Sequence, residues 1–207
     1  MNPLSHSLGL RIQKLRLRQH RTLEAVAGEC GFTKSLLSKI ERGRTTPPVA
    51  TLMKIASTLG VTVTDLLSAS HAASTDFTAA ATFAESKLTR TEKGYLFHLF
   101  AGNRSDKLMQ PFLFVARKGK IRPGPLSHRG EEFIYVLSGE MTFRVGHMDY
   151  RMRAGDSLYF DSEQMHDLQP TSDRVTYLAI FADTHVKQGA TPRQTGKADS
   201  KKAGKKS

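Results

Sequence analysis

Cysteine is almost absent: Cys30 is the only one in 207 residues, so no intrachain disulfide can form. Its place at the end of a helical pattern marks a small buried thiol rather than a redox sensor. Long apolar runs are missing as well. No window approaches the roughly 18 residues that a membrane span needs, and the N-terminus has no basic start leading into an apolar stretch. Neither a span nor a signal peptide is expected, which places the chain in the cytoplasm. Acidic residues are scarce, 19 against 31 lysines and arginines, for a net charge of +12. What remains, 39% apolar and 24% charged, is an ordinary globular mixture of a length that suits two small domains.

The positive charge is unevenly spread. Residues 1–70 carry ten cations and four anions, residues 71–186 fourteen of each, and residues 187–207 seven cations and one anion. The excess lies at the two ends, where clustered cations can hold a polyanion through phosphate contact and counterion release. The neutral middle has a different task.

From Leu8 to Leu67 apolar residues recur at three- and four-residue steps, interrupted at Arg21-Thr22, Gly31, Gly43 to Pro48, and Gly60. Five short helices fit. The first runs to about Gln19 with Leu8, Ile12 and Leu15 inward. The second follows Thr22, with Leu23, Val26 and Ala27 inward. The third is bounded by Thr33, which can accept from free helix-start amides, and by Gly43, which suits a left-handed residue after a helix end. Leu37 and Ile40 form its buried edge, leaving Lys34, Ser35, Ser38, Lys39 and Arg42 on a polar, basic face. Thr46-Pro47-Pro48 opens the fourth, with proline in the first turn, and Thr62 caps the fifth.

The tight turn Glu29-Cys30-Gly31-Phe32 between the second and third helices has helix-turn-helix spacing. Together with the run Leu37-Ser38-Lys39-Ile40-Glu41-Arg42-Gly43, the arginine-rich first helix, Ala27 and the Leu59-Gly60-Val61 close, it resembles the lambda-repressor-like (XRE-type) DNA-binding domain. That resemblance implies an internal ion pair between Arg16 and Glu41. On such a scaffold Thr33, Lys34, Ser35 and Lys39 would reach base edges of double-stranded operator DNA, with Ser38 on the same face, while Arg42, Arg44 and Thr45 would hold phosphates. Leu36 either completes the core or touches a thymine methyl. Leu23 stands where phage repressors of this type place a phosphate-contacting glutamine.

Residues 68–84 are small and polar and have little apolar periodicity, as a linker does, with some helix open to its alanines. From Lys87 the pattern becomes β, with alternating runs at Tyr95 to Phe100, Phe112 to Ala116, Phe133 to Leu137, Met141 to Val145, Met148 to Met152, Leu158 to Phe160 and Val175 to Phe181. Gly, Pro, Asn and Asp turns separate them, and Gly146-His147 has the length of a two-residue hairpin loop. An all-β barrel or double-sheet roll is expected.

His128, Glu132 and Gly139, followed by Arg153-Ala154-Gly155-Asp156 and His166, resemble the two motifs of the cupin family, whose double-stranded β-helix barrel holds a divalent metal on three histidines and a glutamate. The resemblance implies His128, Glu132 and His166 as three of those four ligands. Leu126 stands where the fourth would be, and Arg153 replaces the usual motif-two proline. Three such ligands can hold a divalent ion with open positions, or they can form a hydrogen-bonded polar cluster lining an effector pocket. His98 is a possible substitute ligand, and Arg117, Tyr135 and Tyr159 are possible pocket-wall groups.

The expected layout is therefore a helix-turn-helix domain over 6–68, a linker over 69–86, a cupin effector-sensing domain over 87–184 and a disordered basic tail over 185–207 that adds nonspecific DNA affinity or only solubility. The resulting reading is a non-enzymatic transcription regulator of the XRE–cupin type, in which a small-molecule effector controls the head and the barrel supplies a homodimer contact. The head is expected to bind DNA independently of the barrel interior. A cupin dioxygenase or isomerase tethered to DNA is the alternative, and a nonspecific architectural protein is a third.

Overall fold

The computed structural model describes residues 3–67, 74–104 and 107–182. The predicted tail, 185–207, and the start of the predicted linker, 69–73, lie outside these. Helices come first: α1 (Pro3–Arg18), α2 (Leu23–Glu29), α3 (Lys34–Glu41), α4 (Val49–Thr58) and α5 (Val63–Leu67). None is long and apolar enough to cross a membrane. The capping chemistry behaves as the residue types dictate. Thr22 and Thr33 accept from the Ala25 and Leu36 amides at 3.1 and 3.2 Å, and the Thr62 amide and hydroxyl both donate to Asp65 at 2.8 Å. One detail differs from expectation. Pro48 is extended (φ −56°, ψ 153°) and precedes α4 rather than occupying its first turn, so both prolines close the loop and the helix starts at Val49.

Leu8, Ile12, Val26, Leu37, Ile40, Leu52, Ile55 and Leu66 are buried in one helical core. Burying each such side chain is worth about 1.5–3 kcal/mol, enough to hold helices this short in place. α1 crosses the end of α3 at Gly9, where a Cβ would overlap the carbonyl oxygens of Ile40 and Glu41. The left-handed residue after α3 is Gly43 (φ 65°).

Among the described residues the barrel has nine strands: β1 (Thr89–Arg90), β2 (Leu96–Leu99), β3 (Met109–Arg117), β4 (Glu131–Ser138), β5 (Glu140–Val145), β6 (Met148–Arg153), β7 (Ser157–Asp161), β8 (His166–Pro170) and β9 (Arg174–Ala182). They form a six-stranded sheet ordered β1-β2-β3-β9-β4-β7 and a three-stranded sheet ordered β6-β5-β8. All pairings are antiparallel. Val145 pairs with Met148 across the expected two-residue turn. β1 and β8 carried no strand signal in the sequence. Inward residues of the large sheet, among them Phe112, Phe114, Ile134, Phe160, Tyr177 and Phe181, fill the barrel.

Between the two parts, residues 80–83 and 85–87 make short 3-10 turns rather than α-helix. Glu85 grips Arg117 bidentately at 2.9 and 3.0 Å and approaches Arg174 at 3.7 Å. The head does not stand free of the barrel. The Glu92 amide donates to the Thr46 carbonyl at 2.8 Å, the Thr45 hydroxyl donates to the Glu92 carboxylate at 2.6 Å, and the Tyr95 hydroxyl is hydrogen-bonded to the Val49 backbone. Head and barrel are packed together through these contacts, and Val49 and Ala50 at the start of α4 line a cavity shared with the barrel.

Candidate functional site

Two surfaces carry polar groups that packing does not require. On α3, Thr33, Lys34, Ser35 and Lys39 are exposed and Ser38 is half-buried, with exposed Arg42 and Arg44 just beyond the helix. Leu37 and Ile40 hold the other side in the core, and half-buried Leu36 packs against it. Lys34 is ion-paired with Glu24 on α2, and this contact holds the Glu24 carboxyl below its ordinary range. The pair is fully exposed, so a phosphate or base edge can replace Glu24 at little loss. Beneath this face Arg16 and Glu41 meet as the resemblance implied. Nε and Nη2 donate to the two carboxylate oxygens at 2.7 and 2.9 Å, and Nη1 donates to the Arg21 carbonyl at 2.8 Å. The hydrogen bonds that Arg16 donates to Glu41 push the guanidinium pKa up against the opposing effect of burial.

The barrel brings His128, Glu132 and His166 together. His128 comes from the segment leading into β4, Glu132 from β4 and His166 from the start of β8. They are 3, 4 and 7% exposed, and one ligand atom of each lies within 4.8 Å of the others. The Glu132 carboxylate stands 3.4 Å from His128 Nε2 and 3.7 Å from His166 Nε2. Both histidines are turned by their other nitrogen: His128 Nδ1 faces the Arg129 carbonyl at 3.1 Å and His166 Nδ1 the Gln164 carbonyl at 2.9 Å. A carbonyl only accepts, so each Nδ1 carries the proton, and in a neutral ring Nε2 then offers a lone pair. Burial pushes the His166 pKa down, which keeps that ring neutral.

Two lone pairs thus converge on an anionic oxygen. His128 Nε2 and Glu132 Oε2 have no hydrogen-bond partner, a rare condition for buried polar atoms. A cation placed among the three atoms removes the conflict, so the residues fit a divalent metal, with the Nδ1–carbonyl bonds acting as the outer contacts that orient ligating histidines. Leu126 completes the picture at the position of the missing ligand. Its backbone exchanges two 2.8 Å hydrogen bonds with His166, and the residue borders the cavity.

The cavity beside the cluster measures about 50 Å³ and is walled by Tyr95, Phe114, Phe143, Tyr177 and Phe181, with Lys93 and Asp167 also lining it. Lys93 and Asp167 are 3.8 Å apart. Val49 and Ala50 of α4 close it from the head side. None of Lys93, Asp167, Val49 or Ala50 stood out in the sequence, because only tertiary packing brings them together. Four expected groups lie elsewhere. Register places His98 beside Leu113, Leu178 beside Tyr135 and Phe133 beside Tyr159 on the outer face of the large sheet, opposite Glu132 and Phe181. Arg117, at the strand end, binds Glu85 instead. His98, Arg117, Tyr135 and Tyr159 are therefore neither substitute ligands nor pocket walls. Cys30 is buried, its thiol 3.3 Å from the Thr58 hydroxyl and its pKa raised by burial, as a packing thiol should be.

A helix-turn-helix joined to a cupin barrel defines a class, and comparison with known proteins places the chain within it. The helix-turn-helix family matches residues 12–66 and the cupin domain family residues 112–181. The HTH-type transcriptional regulator SlrR of Bacillus subtilis (strain 168) is 32% identical over 130 residues, covering 60% of this chain and 76% of that protein. The HTH-type transcriptional regulator PuuR of Escherichia coli (strain K12) is 23% identical over 164 residues, 79% of this chain and 88% of that one. A crystal structure of an HTH_3 family transcriptional regulator from Vibrio cholerae shares the fold, with a TM-score of 0.64 at 21% identity over 86% of this chain and 96% of that chain. The chain belongs to the XRE-type helix-turn-helix transcriptional regulators, with a C-terminal cupin domain.

Proposed function

We propose that α3 enters the major groove of an operator and that the state of the barrel cavity sets how well it does so. Thr33, Lys34, Ser35 and Lys39 read base edges with Ser38 between them, and Arg42 and Arg44 fix the register on phosphates, a role that Thr45 joins when its hydroxyl leaves the Glu92 carboxylate. Two such heads, one per half-site, belong to a homodimer. The barrel cluster takes one divalent ion on His128, Glu132 and His166, and a small effector reaches the cavity beside it. Because Leu126 puts an alkyl chain where a fourth ligand would sit, the cluster serves sensing rather than catalysis, and the chain is not an enzyme.

One observation carries the reading: Val49 and Ala50 of the DNA-binding head line the same cavity as Glu132 and His166. At about 50 Å³ it is far below the roughly 300–1,000 Å³ of pockets that enclose metabolite-sized ligands. A larger occupant displaces the start of α4, and the Thr46–Glu92 and Val49–Tyr95 hydrogen bonds pass that shift to the loop leaving α3. The occupant thereby acts differently on two states of the head, which is what coupling between sites requires.

The test uses a duplex selected from a random pool and measures its affinity for the chelator-treated protein, then with Mn²⁺, Fe²⁺, Ni²⁺ or Zn²⁺, and then with a metabolite panel. At least a tenfold change with one of these in the wild type, absent in Glu132→Gln, is expected. Affinity that no ion or metabolite alters would remove control by the barrel and leave a constitutive DNA-binding protein.

A further inference from the structure

The barrel region is neutral only as an average. From Arg117 to Gly130, the segment that leads from β3 into β4, the chain carries five cations and no anion. Arg117 is matched by Glu85. Lys120 and Arg122 are exposed, and among the described residues no carboxylate forms an ion pair with either. Exposed cations on a loop are ordinarily just solvated, so the position of this loop decides what they can do.

The loop lies on the turn that holds the head. The Arg122 amide donates to the Lys93 carbonyl at 2.9 Å, and a Cβ on Gly94 would overlap the Lys120 carbonyl oxygen. Residues 120–122 therefore rest directly against the turn between β1 and β2. The same turn grips the chain leaving α3, through the Glu92 amide on the Thr46 carbonyl at 2.8 Å and the Glu92 carboxylate on the Thr45 hydroxyl at 2.6 Å. Arg90, also exposed, reaches over the turn to the Gly94 carbonyl at 3.3 Å. Arg90, Lys120 and Arg122 thus continue on the barrel the series that Arg42 and Arg44 begin on the head, with the acidic Glu92 set among them.

Two backbone hydrogen bonds and one peptide step separate Thr46 from Arg122, about 15 Å at most between Cα atoms. At about 3.4 Å of rise per phosphate on one strand, that distance is about four base pairs. Main-chain hydrogen bonds fix the turn against Thr46, so these cations keep their station relative to α3 as charges on a loose arm would not. We propose that Arg90, Lys120 and Arg122 form a second DNA contact on the barrel itself, holding backbone phosphates that flank the base pairs read by α3. The contact recognises charge and not sequence. It rests on the reading of α3 as the helix in the groove. It also gives the barrel a direct hold on DNA: a shift at the Thr46–Glu92 hydrogen bond changes the spacing between the two sets of cations, and one duplex fits both sets in one arrangement.

The test follows the operator affinity of the full-length protein as salt is varied, with the folding of each variant checked by circular dichroism. Lys120→Gln combined with Arg122→Gln should weaken the complex about tenfold at low salt and flatten the slope of log affinity against log salt by about two, on operator and scrambled duplex alike. The charge-matched pair Arg151→Gln and Arg153→Gln, exposed on β6, should do much less, which separates contact from the general field of the protein. Glu92→Gln keeps an acceptor for Thr45 and should tighten binding. Ethylation of phosphates flanking the site should block the wild type at positions where the double variant is indifferent. A double variant that loses no more than the β6 pair, or whose slope is unchanged, overturns the inference and leaves the role of α3 untouched. Lys34→Ala and Lys39→Ala without effect, beside barrel variants that do lose affinity, would instead remove α3 from the groove and keep the barrel contact. A wild type with no affinity for any duplex ends both.

Discussion

Among the described residues two carboxylates are buried, and they are treated in opposite ways. Glu41 in the head receives two donors from Arg16 at 2.7 and 2.9 Å, and the third arm of that guanidinium is satisfied by the Arg21 carbonyl. Glu132 in the barrel has two imidazoles at 3.4 and 3.7 Å, each turned by a backbone carbonyl so that it offers a lone pair instead of a proton. The first arrangement is complete and can only brace α1 against α3. The second is one positive charge short. Burial is nearly equal in the two places, so satisfied hydrogen bonding, not depth, separates a structural ion pair from a binding site.

That contrast can be broken by mutation. The largest effect should come from Arg16→Met, which strands Glu41 without a partner and should cost about 3–5 kcal/mol in urea denaturation of the head. A loss under about 1 kcal/mol would make the pair dispensable and erase the distinction. Next in size, Lys34→Ala and Lys39→Ala should each cost roughly 1–3 kcal/mol on the operator and less on scrambled duplex at the same salt concentration, whereas Arg44→Ala weakens both. Equal losses on both duplexes for Lys34→Ala would take it out of the base-reading set. Glu132→Gln should change stability in chelator by no more than about 1 kcal/mol, because it removes an anion whose surroundings do not compensate it. It should also abolish any rise in melting temperature with divalent ions and lower the metal content of protein grown with metal. A destabilisation as large as that of Arg16→Met would show that the cluster is a structural pair after all.

The smallest effect concerns pH. Lys107 is buried against the Phe100 and Ala101 carbonyls at 3.0 and 2.9 Å, and burial pushes its pKa from 10.5 down to about 8, with Asp76 and Asp65 opposing and Arg104 assisting. The unfolded chain holds this proton more tightly than the folded one, so folding is favoured as pH rises from about 8 toward 10.5. The melting temperature of the wild type should climb over that window relative to Lys107→Met. A parallel course for the two proteins would assign the change to other groups.

Much of the head was legible because its signals are local. Thr33, Thr62 and Gly43 act on amides and carbonyls a few residues away, and the three- and four-residue apolar step depends on no distant partner. The cluster residues were legible only through resemblance, since no spacing rule joins residues 128, 132 and 166 unless the barrel is already assumed. Strand faces were the failure. His98, Arg117, Tyr135 and Tyr159 were placed by residue type, but a strand shifted by one position exchanges its faces, and no turn nearby fixes the register of β2 or β4. β8 escaped because His-Asp-Leu-Gln-Pro contains no β-branched residue and ends in proline, both contrary to strand preference. The closure of the cavity by Val49 and Ala50 has no sequence signal, because any apolar helix start looks the same until its neighbour is known.

Gly9 lets α1 lie against the Ile40 and Glu41 carbonyls with no side chain between them. The tilt of the recognition helix is therefore set by main chain meeting main chain, a contact that mutation of the surrounding side chains leaves in place. Lys34, Ser35 and Lys39 can be exchanged for other residues without re-aiming the helix, so under the proposed reading a few surface substitutions should change the operator that is bound. The freedom ends at residue 9, where any side chain would meet the Ile40 and Glu41 carbonyls and push α3 away from α1 while leaving every exposed residue of α3 intact.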